Sequence, residues 1–239
     1  MRKISIIVFV AFVLTSCASA PRPKLRFDHM FLLVKPGAPE RVAFEKAGFT
    51  VDPRVSKHDG QGTASVSVEF DDGYIELMWV EPTVDVVPAA QRAVEKFRQR
   101  AAWRTSGWSP FGINLSPLVP GDIPVFPFPT WDIQMPWMEG GKITILTTRE
   151  DTTSPSVSLH PNATHQAADR HPNGTKRITH MRIVAPPGYH PVPAMLYARD
   201  IGAIELGAGD AWLAEVTLDY GRQKETRDLR PDLPILIHY

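Results

Sequence analysis

The chain has 239 residues, and its 26 Lys+Arg balance 26 Asp+Glu, so no basic excess points to nucleic acid. One cysteine excludes an internal disulfide framework, and a hydrophobic share of 43% excludes a disordered chain. Removal of Arg2 and Lys3 with a leader would leave a slight acidic excess.

Arg2 and Lys3 precede an unbroken apolar run over residues 4–14. As a helix it would span roughly 16 Å, against roughly 30 Å for a bilayer core, so it reads as an export signal rather than a transmembrane helix. Leu14-Thr15-Ser16-Cys17 closes the run and resembles the lipobox of bacterial lipoproteins. That resemblance implies a signal peptide over 1–16, acylation of Cys17 (palmitate among the chains) and a lipidated tether over 17–24. It also implies a lipid-anchored protein of the cell envelope. Ala18 rather than Asp after the cysteine is in keeping with an outer membrane, the protein facing the periplasm.

The predicted elements then run in order. Residues 27–34 are a mostly apolar strand, 39–48 a short helix stopped by Gly48, and 49–55 a strand. His58-Asp59-Gly60-Gln61-Gly62 is a tight loop, and 64–70 alternates apolar with polar residues as a half-buried strand. Asp71-Asp72-Gly73 turns it into a strand over 74–80. This is βαβββ. Residues 88–104 form the best helix, whose Arg92, Lys96, Arg98, Arg100 and Arg104 read as a solvated basic face. A strand over 111–115 leads into a Pro- and Trp-rich excursion, and strands follow over 142–148 and 156–160. Residues 162–174 are a His- and Asn-rich loop. The last stretch reads strand 178–185, helix 192–201 and strands 203–206, 212–220 and 234–239, again βαβββ.

Two of these strands repeat. Arg26, His29, Met30, Pro36 and Gly37 recur in register as Arg177, His180, Met181, Pro187 and Gly188. A module that cannot bury its own apolar face must pair, so the repeat predicts two modules sharing a cleft with both histidines on it.

Asp28-His29 opening a strand, Ala47-Gly48-Phe49-Thr50-Val51, His58 with Gly60-Gln61-Gly62-Thr63, and Asp72-Gly73-Tyr74-Ile75-Glu76-Leu77 together resemble the glyoxalase-like domains of the vicinal oxygen chelate superfamily. His171-Pro172-Asn173-Gly174 leading into Arg177 resembles the late part of such chains. The resemblance implies an α+β fold of paired βαβββ modules, with curved mixed sheets around a cleft. It would cover 25–239 as a first module over 25–104, a divergent Pro-rich middle region over 105–175 and a last module over 176–239. It also implies a divalent ion, Zn, Fe, Mn or Ni, held by His29 and Glu76, with His180 as third ligand by the repeat. Glu76 would be the catalytic residue and His58 a substrate contact. Imidazole and carboxylate on neighbouring strands suit such ions chemically. The pattern departs from the family at Leu236 and Ser158, where further carboxylate ligands would fall.

Two functions stay open. One is a metal-dependent lyase, isomerase or dioxygenase acting on a small molecule with vicinal oxygens. The other is a metal-free protein that binds or sequesters a small molecule. The sequence holds no phosphate-binding Gly loop, no nucleophile elbow and no Cys–His pair, and it leaves the oligomeric state undecided.

Overall fold

The protein is known from a computed structural model that describes residues 24–135, 141–148, 153–161 and 170–239. Cys17, Trp137 and His165 lie outside the described residues. Among the described residues two sheets account for all the strands.

The first module is β1 (Leu25–Leu33), α1 (Arg41–Lys46), β2 (Ser56–His58), β3 (Thr63–Phe70) and β4 (Gly73–Val80). β1 lies parallel to β4, and β4, β3 and β2 follow as antiparallel neighbours. The strand expected over 49–55 is not formed: one backbone bond, from the Asp52 N–H to the Ser67 carbonyl, reaches β3 there, and the ladder begins at Ser56. Pro53 removes a ladder donor there, and Asp52 turns back to bind the backbone N–H and guanidinium of Arg54. The long helix is two pieces, α2 (Gln91–Ala101) and α3 (Trp103–Ser106). Its basic face is solvated only in part: Arg92, Arg98 and Arg104 are exposed, while two of the five turn inward. Arg100 is buried and donates to the carbonyls of Phe111 and Ser154, and Lys96 reaches the carbonyl of Thr148.

The middle region supplies β5 (Phe111–Pro117), β6 (Trp131–Gln134), β7 (Lys142–Ile145) and β8 (Ser156–Leu159). β5 is parallel to β8, with β7 and β6 antiparallel beyond it, so the pairing repeats that of β1–β4. No helix follows β5, because Pro117, Pro120, Pro124, Pro127 and Pro129 interrupt the stretch where one would stand. β1 and β5 pair antiparallel and join the two halves into one sheet, ordered β2-β3-β4-β1-β5-β8-β7-β6, which curls into a half-barrel.

The expected partner of the first module is therefore corrected. The middle region fills that place, and the last stretch forms a separate sheet. Its elements are β9 (Ile178–Ala185), α4 (Pro193–Asp200), β10 (Glu205–Ala208), β11 (Leu213–Leu218), β12 (Thr226–Asp228) and β13 (Ile235–His238), in the order β10-β9-β11-β13-β12. The sequence repeat is real locally: Gly37 and Gly188 both take φ near +80°, each between its strand and its helix. Local similarity sets the strand-turn-helix unit. It does not set the partner: β9 lies between β10 and β11, whereas β1 lies between β4 and β5.

Alternation along the strands decides what each face does. Met30, Leu32, Ile75, Leu77, Ile113 and Leu115 face one buried core. Met181, Ile183, Met195, Val216 and Ile235 of the second unit complete it. The residues between them, on β1, β4, β5 and β8, face the other way.

Candidate functional site

On that opposite face lies a cavity of about 460 Å³, with α2 contributing Ala93, Lys96, Phe97 and Arg100 to its wall. Its lining is divided. Phe31, Met78, Phe97, Ile133, Met135 and Ile143 give an apolar part, with Trp131 and Ile145 beside them. His29, His58, Tyr74, Glu76, Asn114 and His160 give a polar part, with Ser158 beside them.

The polar part is built from strand positions. Register places His29 of β1 opposite Tyr74 of β4 on one side and Asn114 of β5 on the other. The β1–β5 register slips between Phe27 and His29, a bulge that leaves Asp28 as the extra residue. Asp28 is fully buried, and its Oδ2 accepts from Nδ1 of His29 at 2.6 Å. The imidazole is further fixed by stacking on Tyr74, centroid to centroid 4.1 Å at 12°. Burial, and after it the Glu76 carboxylate, pushes the Tyr74 phenol well above its ordinary pKa, so the ring stays neutral.

With Nδ1 occupied, His29 presents Nε2 to Glu76 Oε2 at 3.8 Å. His58, ending β2, pairs through Nδ1 with the Thr63 hydroxyl at 2.9 Å and presents Nε2 to Glu76 Oε1 at 3.5 Å. Glu76 is only 7% exposed, and among the described residues no Lys or Arg pairs with it. The site thus holds a buried carboxylate between two imidazoles that are each oriented from behind.

The structure brings His29, His58 and Glu76 together and leaves His180 out. His180 is on β9 in the other sheet, half-exposed, with Nε2 3.2 Å from Glu205 Oε2 beside the Arg182–Glu215 pair. It lines a separate groove with Arg26 and Thr179. The expected His29–Glu76–His180 set is corrected on this ground.

Sequence reasoning gave His160 no role at the site, reading it only as the end of the strand over 156–160. It stands one residue past β8, and its backbone N–H binds the Leu115 carbonyl at 2.9 Å. Its ring meets that of His29 edge-on at 5.2 Å. Burial, and secondarily the His29 ring, pushes its pKa down to about 3, so it is a neutral imidazole facing the cavity. The signal was present: Ser156, Ser158 and His160 continue one face of β8 while Val157 and Leu159 take the other. Asn114 was also missed. Its side-chain carbonyl accepts from Ser158, and its buried Nδ2 has no partner among the described residues. His171 is elsewhere, packed on Phe49 and Phe70 and accepting from the backbone of Thr50.

The donor types at the polar end suit a divalent ion, but the three residues expected to hold it are not together, since His180 lies in the other sheet. Among the described residues no three His, Cys, Asp or Glu side chains are grouped as an ion requires. The half-barrel's second module offers Asn114 and Ser158 where it faces His29, neither of them an anionic ligand. The set expected from the sequence does not fit the metal.

Residues 27–114 match the family described as a glyoxalase-like domain. No curated protein matches the chain. A solved structure of a hypothetical protein from Staphylococcus aureus aligns at TM-score 0.47 and 10% identity, covering 89% of this chain and 98% of that one. Another, a hypothetical protein from Bacillus halodurans C-125, aligns at TM-score 0.33 and 15% identity, covering 61% and 99%. The matched stretch holds β1 to β4, α2 and the start of β5, and with them His29, His58, Glu76 and Asn114. Residues 27–114 are thus similar to a glyoxalase-like domain, and the polar end of the cavity lies largely within that stretch.

Proposed function

We propose that this is an envelope protein, anchored by lipid at Cys17, that binds one small molecule in the half-barrel without a metal. The division of the cavity carries the reading. An apolar body would lie along Phe31, Met78, Phe97 and Ile143, and a head bearing hydroxyl or carbonyl oxygens would meet His29, His58, Asn114 and Glu76. A cavity of about 460 Å³ with a few convergent polar groups is typical of sites for small ligands. A carboxylate acceptor beside imidazole donors favours a head that both donates and accepts.

A second reading rests on Glu76 itself. A carboxylate held between two oriented imidazoles, with no Lys or Arg paired to it among the described residues, suits proton abstraction from a bound substrate, as in an isomerase or lyase. Calorimetric titration with compounds that join an apolar body to such a head tests the first reading. Absence of binding across the series, with the protein folded, would sink it. Glu76→Gln separates the two: a binder keeps most of its affinity, whereas an enzyme keeps binding and loses turnover. Metal content is measured on the same sample, and a stoichiometric divalent ion would overturn the metal-free statement.

A further inference from the structure

We propose that the loop over residues 117–125 is a lipid-inserting tip that seats the domain on the membrane surface. Seven large hydrophobic side chains are exposed among the described residues, and four fall in this one loop. Leu118 is 54% exposed, Val119 61%, Ile123 40% and Val125 97%. Such a concentration marks an interaction surface rather than the scattered apolar residues of ordinary protein exteriors.

The loop is built to hold these residues out. Pro117, Pro120 and Pro124 limit its backbone, and the N–H of Asp122 closes a turn on the Val119 carbonyl at 3.0 Å. Phe126 and Phe128 pin its far end against Tyr197, with ring centroids 5.4 and 5.8 Å away. Its one charged residue, Asp122, is neutralised by the Lys24 ammonium at 2.8 Å. The pair leaves the tip without net charge.

The occupant is argued from where the chain comes in. The Leu118 N–H donates to the Lys24 carbonyl at 2.8 Å, so the loop and the first described residue are tied together. Seven residues upstream is Cys17, the site proposed for acylation. A seven-residue segment reaches at most about 25 Å, so acyl chains on Cys17 would hold the bilayer within that distance of the loop. A single acyl chain gives marginal binding, and a second apolar contact from the protein stabilises attachment and fixes orientation.

The test uses the full chain with Cys17→Ser and Val125→Cys, which leaves one thiol for an environment-sensitive fluorophore. Vesicles of phosphatidylethanolamine with phosphatidylglycerol should shift the emission to the blue. Spin-labelled lipid with a shallow quencher should quench it. A probe at Val55→Cys, exposed beside β2 and four strands from β5, should respond to neither. Adding Val119→Asp and Ile123→Asp should weaken the vesicle response on the order of tenfold or more, because each substitution forfeits the transfer of an aliphatic side chain. These side chains touch no core, and unchanged circular dichroism confirms the fold. The proposal is overturned if the probe at 125 stays unquenched, or if both probes respond alike. It is also overturned if the shift grows with protein concentration in the absence of lipid, since the loop then meets a second copy of the chain.

Discussion

Gly112 carries the shape of the cavity. It pairs with Phe31 across the β1–β5 ladder, and the Phe31 ring lies flat over it: a Cβ at 112 would stand 1.9 Å from Cε1 and 2.0 Å from Cζ of that ring. Gly112→Ala must therefore drive the ring back by about 1.5 Å to regain the ordinary contact distance of 3.4 Å. Phe97 stands edge-on at 5.6 Å on α2, so the ring has little room to move except into the cavity. Overpacking of this kind costs about 1–3 kcal/mol. In a chain of this size that is a fall in Tm of roughly 2–4 °C per kcal/mol. Urea titration measures the stability, and calorimetry with any ligand found for the cavity measures the loss of affinity. Gly112→Ala with Phe31→Leu should recover most of the stability, because the shorter side chain vacates the site of the new methyl. Wild-type stability and affinity in Gly112→Ala alone would refute the placement of Phe31.

Three further outcomes are expected. Asp28→Asn should cost about 1–3 kcal/mol in urea unfolding, since the partner of buried His29 Nδ1 loses its charge; ligand affinity should fall with it, and unchanged affinity would show that His29 needs no orienting. His160 has a folded pKa of about 3 against an ordinary 6.5, so the unfolded chain takes its proton first; the stability it confers is complete above pH 6.5 and is lost as pH falls toward 3. Between pH 7 and pH 5 in chelated buffer this group should remove about 1–2 kcal/mol, and His160→Gln should flatten that slope in parallel urea titrations. Cys17→Ser should abolish the acyl mass of the protein isolated from cells, and a native protein that begins at Pro21 or carries no acyl group would end the lipoprotein reading.

Much of the half-barrel was legible because a period of two reports a face. Ile75 and Leu77 against Glu76, and Val66 and Val68 against Ser65 and Ser67, gave the sides of β4 and β3 that the structure shows. The same period, carried from Ser158 one residue past the end of β8, would have found His160. The cluster of His29, His58 and Glu76 was legible only through the resemblance, since β2 and β4 are not adjacent and no local pattern joins His58 to Glu76. The bulge at Asp28 had no sequence signal at all. It follows from the fit of β1 against β5, and those strands lie far apart in the chain.

The repeat misled for a physical reason. A strand, a glycine turn and a helix are coded locally, and the two copies share that code down to the positive φ of Gly37 and Gly188. What makes a cleft is which strand the copy pairs with, and that is decided by the faces left to bury. β1 has a partner in β5, whose Ile113 and Leu115 turn to the core while Asn114 turns to the cavity and Gly112 lies under the Phe31 ring that lines it. β9 turns Met181 and Ile183 to the same core from the other side, and its His180 is thereby left at the surface with Glu205. The second half of the barrel thus brings a glycine, an amide, serines and one neutral imidazole where the repeat had placed His180. Among the described lining residues that asymmetry leaves Glu76 as the one carboxylate of the cavity wall, which is the observation on which the proposed binding of one small molecule rests.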